Sequence, residues 1–223
     1  MSRVLLRFRK GDKAKYISHR DLMRAFDFAL RRARIPVAYS LGFNPRPRMS
    51  FGSAIGVGVT SDDELIVLEL ALPLDASDIK GMLNSQLPVG LEVLAVEDVP
   101  DGVKSPLSGL NASRFQIVVA CDPTAIGKAI EELLAADEVH VVRTRGDETR
   151  EIDIRPHLLQ VDKTEYKGDS AIIEVSLRSG DSGGAGPQDF LQALRNLAPN
   201  FTVKKIHRLK QFRATDDSVS SGC

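Results

Sequence analysis

Apolar and polar positions alternate as soon as the chain begins. Val4, Leu6 and Phe8 interleave with Arg3, Leu5, Arg7 and Arg9, a period of two that predicts a strand with one apolar and one mostly basic face. The period lengthens after the turn "KGDK". Ser18 stands three residues ahead of Asp21, at capping-box spacing. Leu22, Phe26, Ala29, Leu30 and Ala33 then share one side of a helix that runs to about Arg34 and is closed by Pro36. Arg20, Arg24, Arg31 and Arg34 fall on the opposite side, with Asp27 among them. Downstream, "SAIGVGVT" and "LIVLEL" read as two strands of a hairpin turning at the exposed carboxylates of "SDDE". "DASDIKGMLNSQLP" predicts a short helix with Ile79, Met82 and Leu83 inward, and "GLEVLAVEDV" returns as a strand.

"DGVKSPLSGLNAS" is a linker by composition, and the pattern then recurs. "RFQIVVAC" is a strand, and "DPTAIGKAIEELLAA" a helix with Pro123 near its start. "EVHVVRT" and "EIDIRP" are short strands around the polar tip "RGDET". An extra strand or irregular excursion lies between Arg150 and Gly168. "AIIEVSLR", the helix "PQDFLQALRNLA" and the strand "FTVKKIHRL" close the set. The expected fold class is α+β, with tandem ferredoxin-like (βαββαβ) domains, antiparallel sheets and a modified second copy. The expected organisation is a basic N-terminal domain over 1–100, a linker over 101–112, the modified copy over 113–212 and a disordered tail over 213–223.

Charge sharpens this picture. The whole chain balances 30 Lys/Arg against 30 Asp/Glu, yet residues 1–50 hold thirteen Lys/Arg against only Asp12, Asp21 and Asp27. A basic lobe on a neutral chain is a local feature that attracts a polyanion. Apolar stretches are strand-sized and no signal-peptide pattern follows the basic start, so the expected location is cytoplasmic with no membrane partner. Cys121 and Cys223 alone make no disulfide framework, and His140, His157 and His207 show no metal-ligand spacing, so no metal or cofactor site is expected in this chain.

The candidate chemistry gathers around "AYSLGFNPRPRMSF", residues 38–51. Pro45 and Pro47 stiffen it and hold Arg46 and Arg48 in place. Tyr16, Tyr39, Phe43 and Phe51 offer stacking surfaces beside those cations, a mixture used on single-stranded nucleic acid. The candidate anion- or RNA-binding set is Arg20, Arg24, Arg31, Arg34, Arg46, Arg48, Tyr39, Phe43 and Asn44. Each also has a plainer reading: a solvated helix face for the helix arginines, a loop anchor for the aromatics, a turn for Asn44. Strand and helix arginines look in different directions, so the basic lobe forms one patch or two. His19, at the first turn of the helix, is a structural histidine, a ligand contact or a weak catalytic candidate with no evident partner. "SGDSGGAGP" lacks the order of a nucleotide-binding loop and reads as a flexible connection.

"YISHRDLMR", "ALRRARIPVAYS", "GFNPRPRMSF" and "GVGVTSDDE", with "DIRP" at 153–156, resemble the radical SAM-associated protein family, also known as the DUF2344 domain family of unknown function. The resemblance is dense over residues 15–70. It implies a companion of radical SAM proteins, encoded beside one or fused to its C-terminal end, with no settled activity. It therefore implies a radical SAM partner, to which S-adenosylmethionine and the iron–sulfur cluster would belong. "GGAGP" departs from the family pattern, with Gly186 where an Arg is expected. Three functions stay open: an accessory module that binds RNA (tRNA or rRNA) or another anionic substrate; a metal-independent RNA-processing endoribonuclease; and a protein–protein adaptor for the radical SAM enzyme.

Overall fold

The computed structural model describes residues 2–179 and 183–215, with Arg145 as backbone only. Residues 180–182 of the glycine-rich segment, and residues 216–223 of the expected tail, lie outside the described residues. The chain divides into two compact units, Met1–Leu110 and Asn111–Cys223.

The first unit runs β1 (Ser2–Lys10), α1 (His19–Arg32), β2 (Met49–Phe51), β3 (Thr60–Leu70), α2 (Ala76–Asn84) and β4 (Leu91–Val99). β1 is antiparallel to β3 and β4, and β2 is antiparallel to β3, which gives the order β4-β1-β3-β2. The period of two in β1 turns Val4, Leu6 and Phe8 inward, where Phe8 meets Phe26 of α1 edge-on at 4.7 Å. Asn84, at the end of α2, pairs with both backbone groups of Val93 on β4 through its side-chain amide (2.7 and 3.0 Å).

α1 begins as its sequence directs. Ser18 accepts from the Asp21 amide (3.1 Å) and donates its hydroxyl to the Asp21 carboxylate (2.7 Å). Its end differs from expectation, because the helix closes at Arg32 in a Schellman motif. The Ile35 amide reaches back to the Leu30 carbonyl (3.2 Å) and the Arg34 amide to Arg31 (3.1 Å). Arg34 thereby leaves the helix and adopts φ +53°, a conformation usually taken by glycine.

The larger correction concerns the expected hairpin. "SAIGVGVT" forms no strand before Thr60, since the chain turns at Gly56–Gly58, where Gly58 has φ +84°. "SDDE" is no exposed turn but the first half of β3, with Ser61, Asp63 and Glu64 buried. The reason is non-local. β3 lies along β1, Arg7 ion-pairs with Asp63, and Arg9 pairs with Asp62 (2.6 Å) and with Glu92 of β4 (3.1 Å). Arginines about fifty residues away supply the counter-charge that a turn would have drawn from water.

The second unit runs β5 (Ala112–Cys121), α3 (Pro123–Ala135), β6 (His140–Arg145), β7 (Glu148–Asp153), β8 (Leu158–Lys167), β9 (Ser170–Arg178), α4 (Pro187–Leu197) and β10 (Phe201–Phe212). Its main sheet has the order β10-β5-β9-β8, all antiparallel. With the separate β6–β7 ribbon set aside, both units repeat one alternation, strand-helix-strand-strand-helix-strand, with the same spatial order. The excursion after Arg150 is the end of this ribbon followed by β8. Beyond β10, Ala214 is buried and exchanges two hydrogen bonds with the Asn111 side chain, so the beginning of the expected tail is anchored.

"DIRP" acts as a clasp within this unit. Asp153 accepts from the amides of Val139 (2.8 Å) and Arg155 (2.9 Å). Arg155 donates to the carbonyls of Leu134 (3.1 Å) and Ala136 (2.9 Å), filling acceptors that the end of α3 leaves open. Arg143 of β6 grips Asp189 with two nitrogens (2.9 and 2.7 Å), while Asp189 accepts from the Gly186 amide at the start of α4 (2.6 Å). The position where an arginine was expected thus serves as a helix cap.

Candidate anion-binding face

The segment 38–51 is an ordered arm. The Ala38 amide donates to the Glu69 carbonyl of β3 (2.8 Å), the Glu69 amide donates to the Arg48 carbonyl (3.0 Å), and the Arg48 amide donates to Ala38 (2.8 Å). Tyr39 and Pro47 bridge, and the Ser40 amide donates to the Arg46 carbonyl (2.9 Å). Pro47 is buried, and the arm ends in β2. Two prolines limit the conformations given up on folding, and the backbone bonds fix the rest. Leu41, Gly42, Phe43, Asn44 and Pro45 form its tip, all exposed.

The arm lies against α1. The Arg31 guanidinium stacks over the Tyr39 ring (5.8 Å to its centre) while holding Asp27 (2.8 Å). Hydrogen bonding to Asp27 raises the Arg31 pKa further, with the Asp27 charge adding to it. At the other end of α1, Arg24 meets Asp21 (3.3 Å). The Ser18 hydroxyl is the largest influence holding the Asp21 carboxyl below its usual range; Arg24 and Arg20 add to it, and desolvation opposes. Arg48 pairs with Glu69 (3.0 Å). Arg20, Arg34 and Arg46 have no carboxylate in ion-pair contact among the described residues, and Arg20 and Arg46 are exposed. Arg32 donates to the Gln86 carbonyl beyond α2.

The structure therefore sorts the ten arginines among these thirteen cations. Arg3, Arg7 and Arg9 project from β1 on the side away from α1, and carboxylates or backbone carbonyls hold them there; Arg3 donates to Pro100 and Val103. They do not join the helix. α1, the turn that ends it and the arm carry Arg20, Arg24, Arg31, Arg32, Arg34, Arg46 and Arg48; with Asp21 and Asp27 of α1 and Glu69 of β3 counted against them, the net charge is +4. The three acidic partners do not disable this face. Exposed pairs are worth about 0.2–1 kcal/mol each, so a phosphate can displace them cheaply. α1 extends the face over about 21 Å.

His19, the first residue of α1, belongs to a cluster of rings. Its ring meets Phe51 edge-on at 5.3 Å, and Phe51 meets Phe26 at 6.0 Å, so His19 and Phe51 belong to the packing beneath the arm. Phe43 is not an anchor: it is 105% exposed. Two residues that sequence reasoning passed over join the face. Leu41 is 95% exposed at the tip, and Phe28, 59% exposed, lies between Arg24 and Arg32 in a shallow depression of about 360 Å³. The signal for Phe28 was present, since a large aromatic stood on the polar side of the helical period. Among the described residues no cluster of three or more His, Cys, Asp or Glu has metal-binding geometry. No helix among them is long and apolar enough to cross a membrane.

A mixed α+β chain built on two such units, with an arginine-lined arm, matches one family over most of its length. The protein belongs to the family described as uncharacterized protein conserved in bacteria (DUF2344), matched over residues 3–187. No curated protein matches it. Among solved structures it is similar to a chain of a Cbf5–Nop10–Gar1 complex, with 8% identity, a TM-score of 0.49, and coverage of 94% of this chain and 48% of that one. It is similar to a chain of an H/ACA RNP bound to a substrate RNA containing 2'-deoxyuridine (10% identity, TM-score 0.45, coverage 92% and 46%). It is also similar to a chain of the archaeal box H/ACA sRNP Nop10–Cbf5 complex (9%, 0.45, 93% and 46%). The chain spans about half the length of each.

Proposed function

We propose that this protein is a non-catalytic accessory module that binds RNA through the arginine face of α1 and the arm, and presents it to a radical SAM partner for modification. The observation that supports the reading is the run of seven arginines on α1 and the segment that follows it through the arm, with Tyr39 stacked beneath Arg31. Arginine on a helix face and aromatic rings beside it suit a phosphate backbone and its bases. The strand orders support reading the units as tandem ferredoxin-like domains, with boundaries near 1–100 and 113–212. In this reading the chain works in the cytoplasm, the RNA is tRNA or rRNA, and S-adenosylmethionine and the iron–sulfur cluster sit on the partner. His19 is assigned no catalytic part, because its ring packs edge-on against Phe51.

The test is anisotropy titration of a labelled short RNA across a salt series. Binding to about four phosphates of a single strand gives a log–log slope near −3, so affinity should fall about fiftyfold between about 50 and 200 mM salt. Salt-independent binding, or none, removes the proposal. RNA recovered cut after incubation would restore the endoribonuclease reading. Co-purification with a radical SAM protein that survives nuclease, without RNA affinity, would favour the adaptor.

A further inference from the structure

The tip of the arm carries the two most exposed large apolar side chains among the described residues. Phe8 and Phe26 are fully buried in the core of that unit, whereas Phe43 is 105% and Leu41 95% exposed on either side of Gly42. Gly42 has φ +128°, and nothing lies within 4 Å of where its side chain would be. Two large apolar side chains are thus held in water, forgoing burial that ordinarily contributes to folding. The base that holds them is stiff: buried Pro47, the Ser40–Arg46 backbone bond and the Arg46 amide donating to the Ser40 hydroxyl (3.0 Å). Such preorganisation lowers the ordering cost of any interaction the tip makes.

Its surroundings specify the occupant. Arg46, Arg48 and the Arg31–Tyr39 stack flank the tip, so what it meets carries negative charge beside flat apolar faces. A protein partner fits poorly. Stable interfaces bury about 800 Å² on each side, and two side chains at the tip of a short arm offer far less. A nucleotide strand presents a phosphate and a base at every residue. We infer that Leu41 and Phe43 form a wedge that stacks on unpaired bases, so that the protein selects single-stranded or looped RNA over continuous duplex. Entering a duplex would require unstacking a base step, at a cost of a few kcal/mol, which unpaired bases do not exact. This inference rests on the arginine-face reading and adds the substrate class to it.

The test compares a labelled short single-stranded RNA with the same strand annealed to its complement, using the full chain. The single strand should bind more tightly. Leu41→Ala with Phe43→Ala should weaken it about tenfold or more, as removal of a base stack does, while leaving duplex affinity, salt slope and melting temperature unchanged. Gly42→Ala, which keeps every charge and apolar group but strains the tip, should lose part of the same preference. Salt-dependent RNA binding that the double variant leaves intact would overturn the wedge and spare the arginine face. Absence of binding to either RNA would remove both. Binding of the wild type to phosphatidylserine vesicles in preference to single-stranded RNA, abolished in the double variant, would reassign the tip to a membrane surface.

Discussion

Replacing Arg20 and Arg46 together by Ala tests whether charge acts through one face or through the chain's total. Neither arginine has an ion-paired carboxylate among the described residues, and both are exposed, so their removal should change stability by no more than about 0.5 kcal/mol. Taking away the cation opposite one phosphate of a single strand lowers the salt slope by about 0.7. At about 0.1 M salt that is about fivefold in affinity per phosphate, hence about 25-fold for the pair and a slope lower by about 1.4. Arg9→Ala is the control. It removes a charge of the same sign, but from a side chain already bound to Asp62 and Glu92 on the far side of the sheet, and should leave RNA affinity nearly unchanged. Anisotropy across a salt series reads both quantities. If Arg9→Ala weakens binding as much as the double variant does, or if the slope does not move, the sorting of arginines into two faces has no bearing on binding.

Other consequences follow from single residues. Arg34→Gly should raise the urea midpoint, by about 0.5–1 kcal/mol of stability, because glycine suits φ +53° in the Schellman motif, while weakening RNA binding about fivefold. Gly90→Ala should destabilise the first unit by about 2 kcal/mol or more in denaturant titration, since its φ is +101° and a side chain would stand 2.8 Å from the Ala14 nitrogen. Arg143→Ala leaves the mostly buried Asp189 carboxylate without its two-pronged partner and should cost about 1–3 kcal/mol in the same assay. Asp153 predicts a pH effect. Desolvation is the largest influence and raises its pKa, but the amides of Val139 and Arg155, with His140 and His157, together outweigh it and hold the carboxyl below 3.8. A lowered folded pKa means that the stabilisation is complete above the ordinary carboxylate value and is lost as pH falls through the lower one. Melting temperature followed from about pH 7 downward should therefore fall below about pH 4 in the wild type and less steeply in Asp153→Ala; parallel curves would contradict this.

What could be read along the chain was what neighbouring residues decide. The Ser18–Asp21 cap, the face made by Leu22, Phe26 and Ala29, the alternation of β1 and the basic excess of the first fifty residues all depend on groups a few positions apart, and each appears in the fold. The alternation of elements followed from the same periods. Misreadings arose where a partner lay far away in sequence. "SDDE" looked like a turn because its carboxylates seemed destined for water, and Arg7 and Arg9 reached them across the sheet instead. Arg34 looked helical until the Schellman motif turned it out. The candidate face was legible as a set of cations and aromatics, but not as a place. Periodicity says which side of an element a residue occupies, without saying what that side meets. Only tertiary packing separated the strand arginines from those of the helix, put Phe51 beneath the arm beside His19, and left Leu41 and Phe43 uncovered at its tip, because burial is settled by the register of strands distant in sequence.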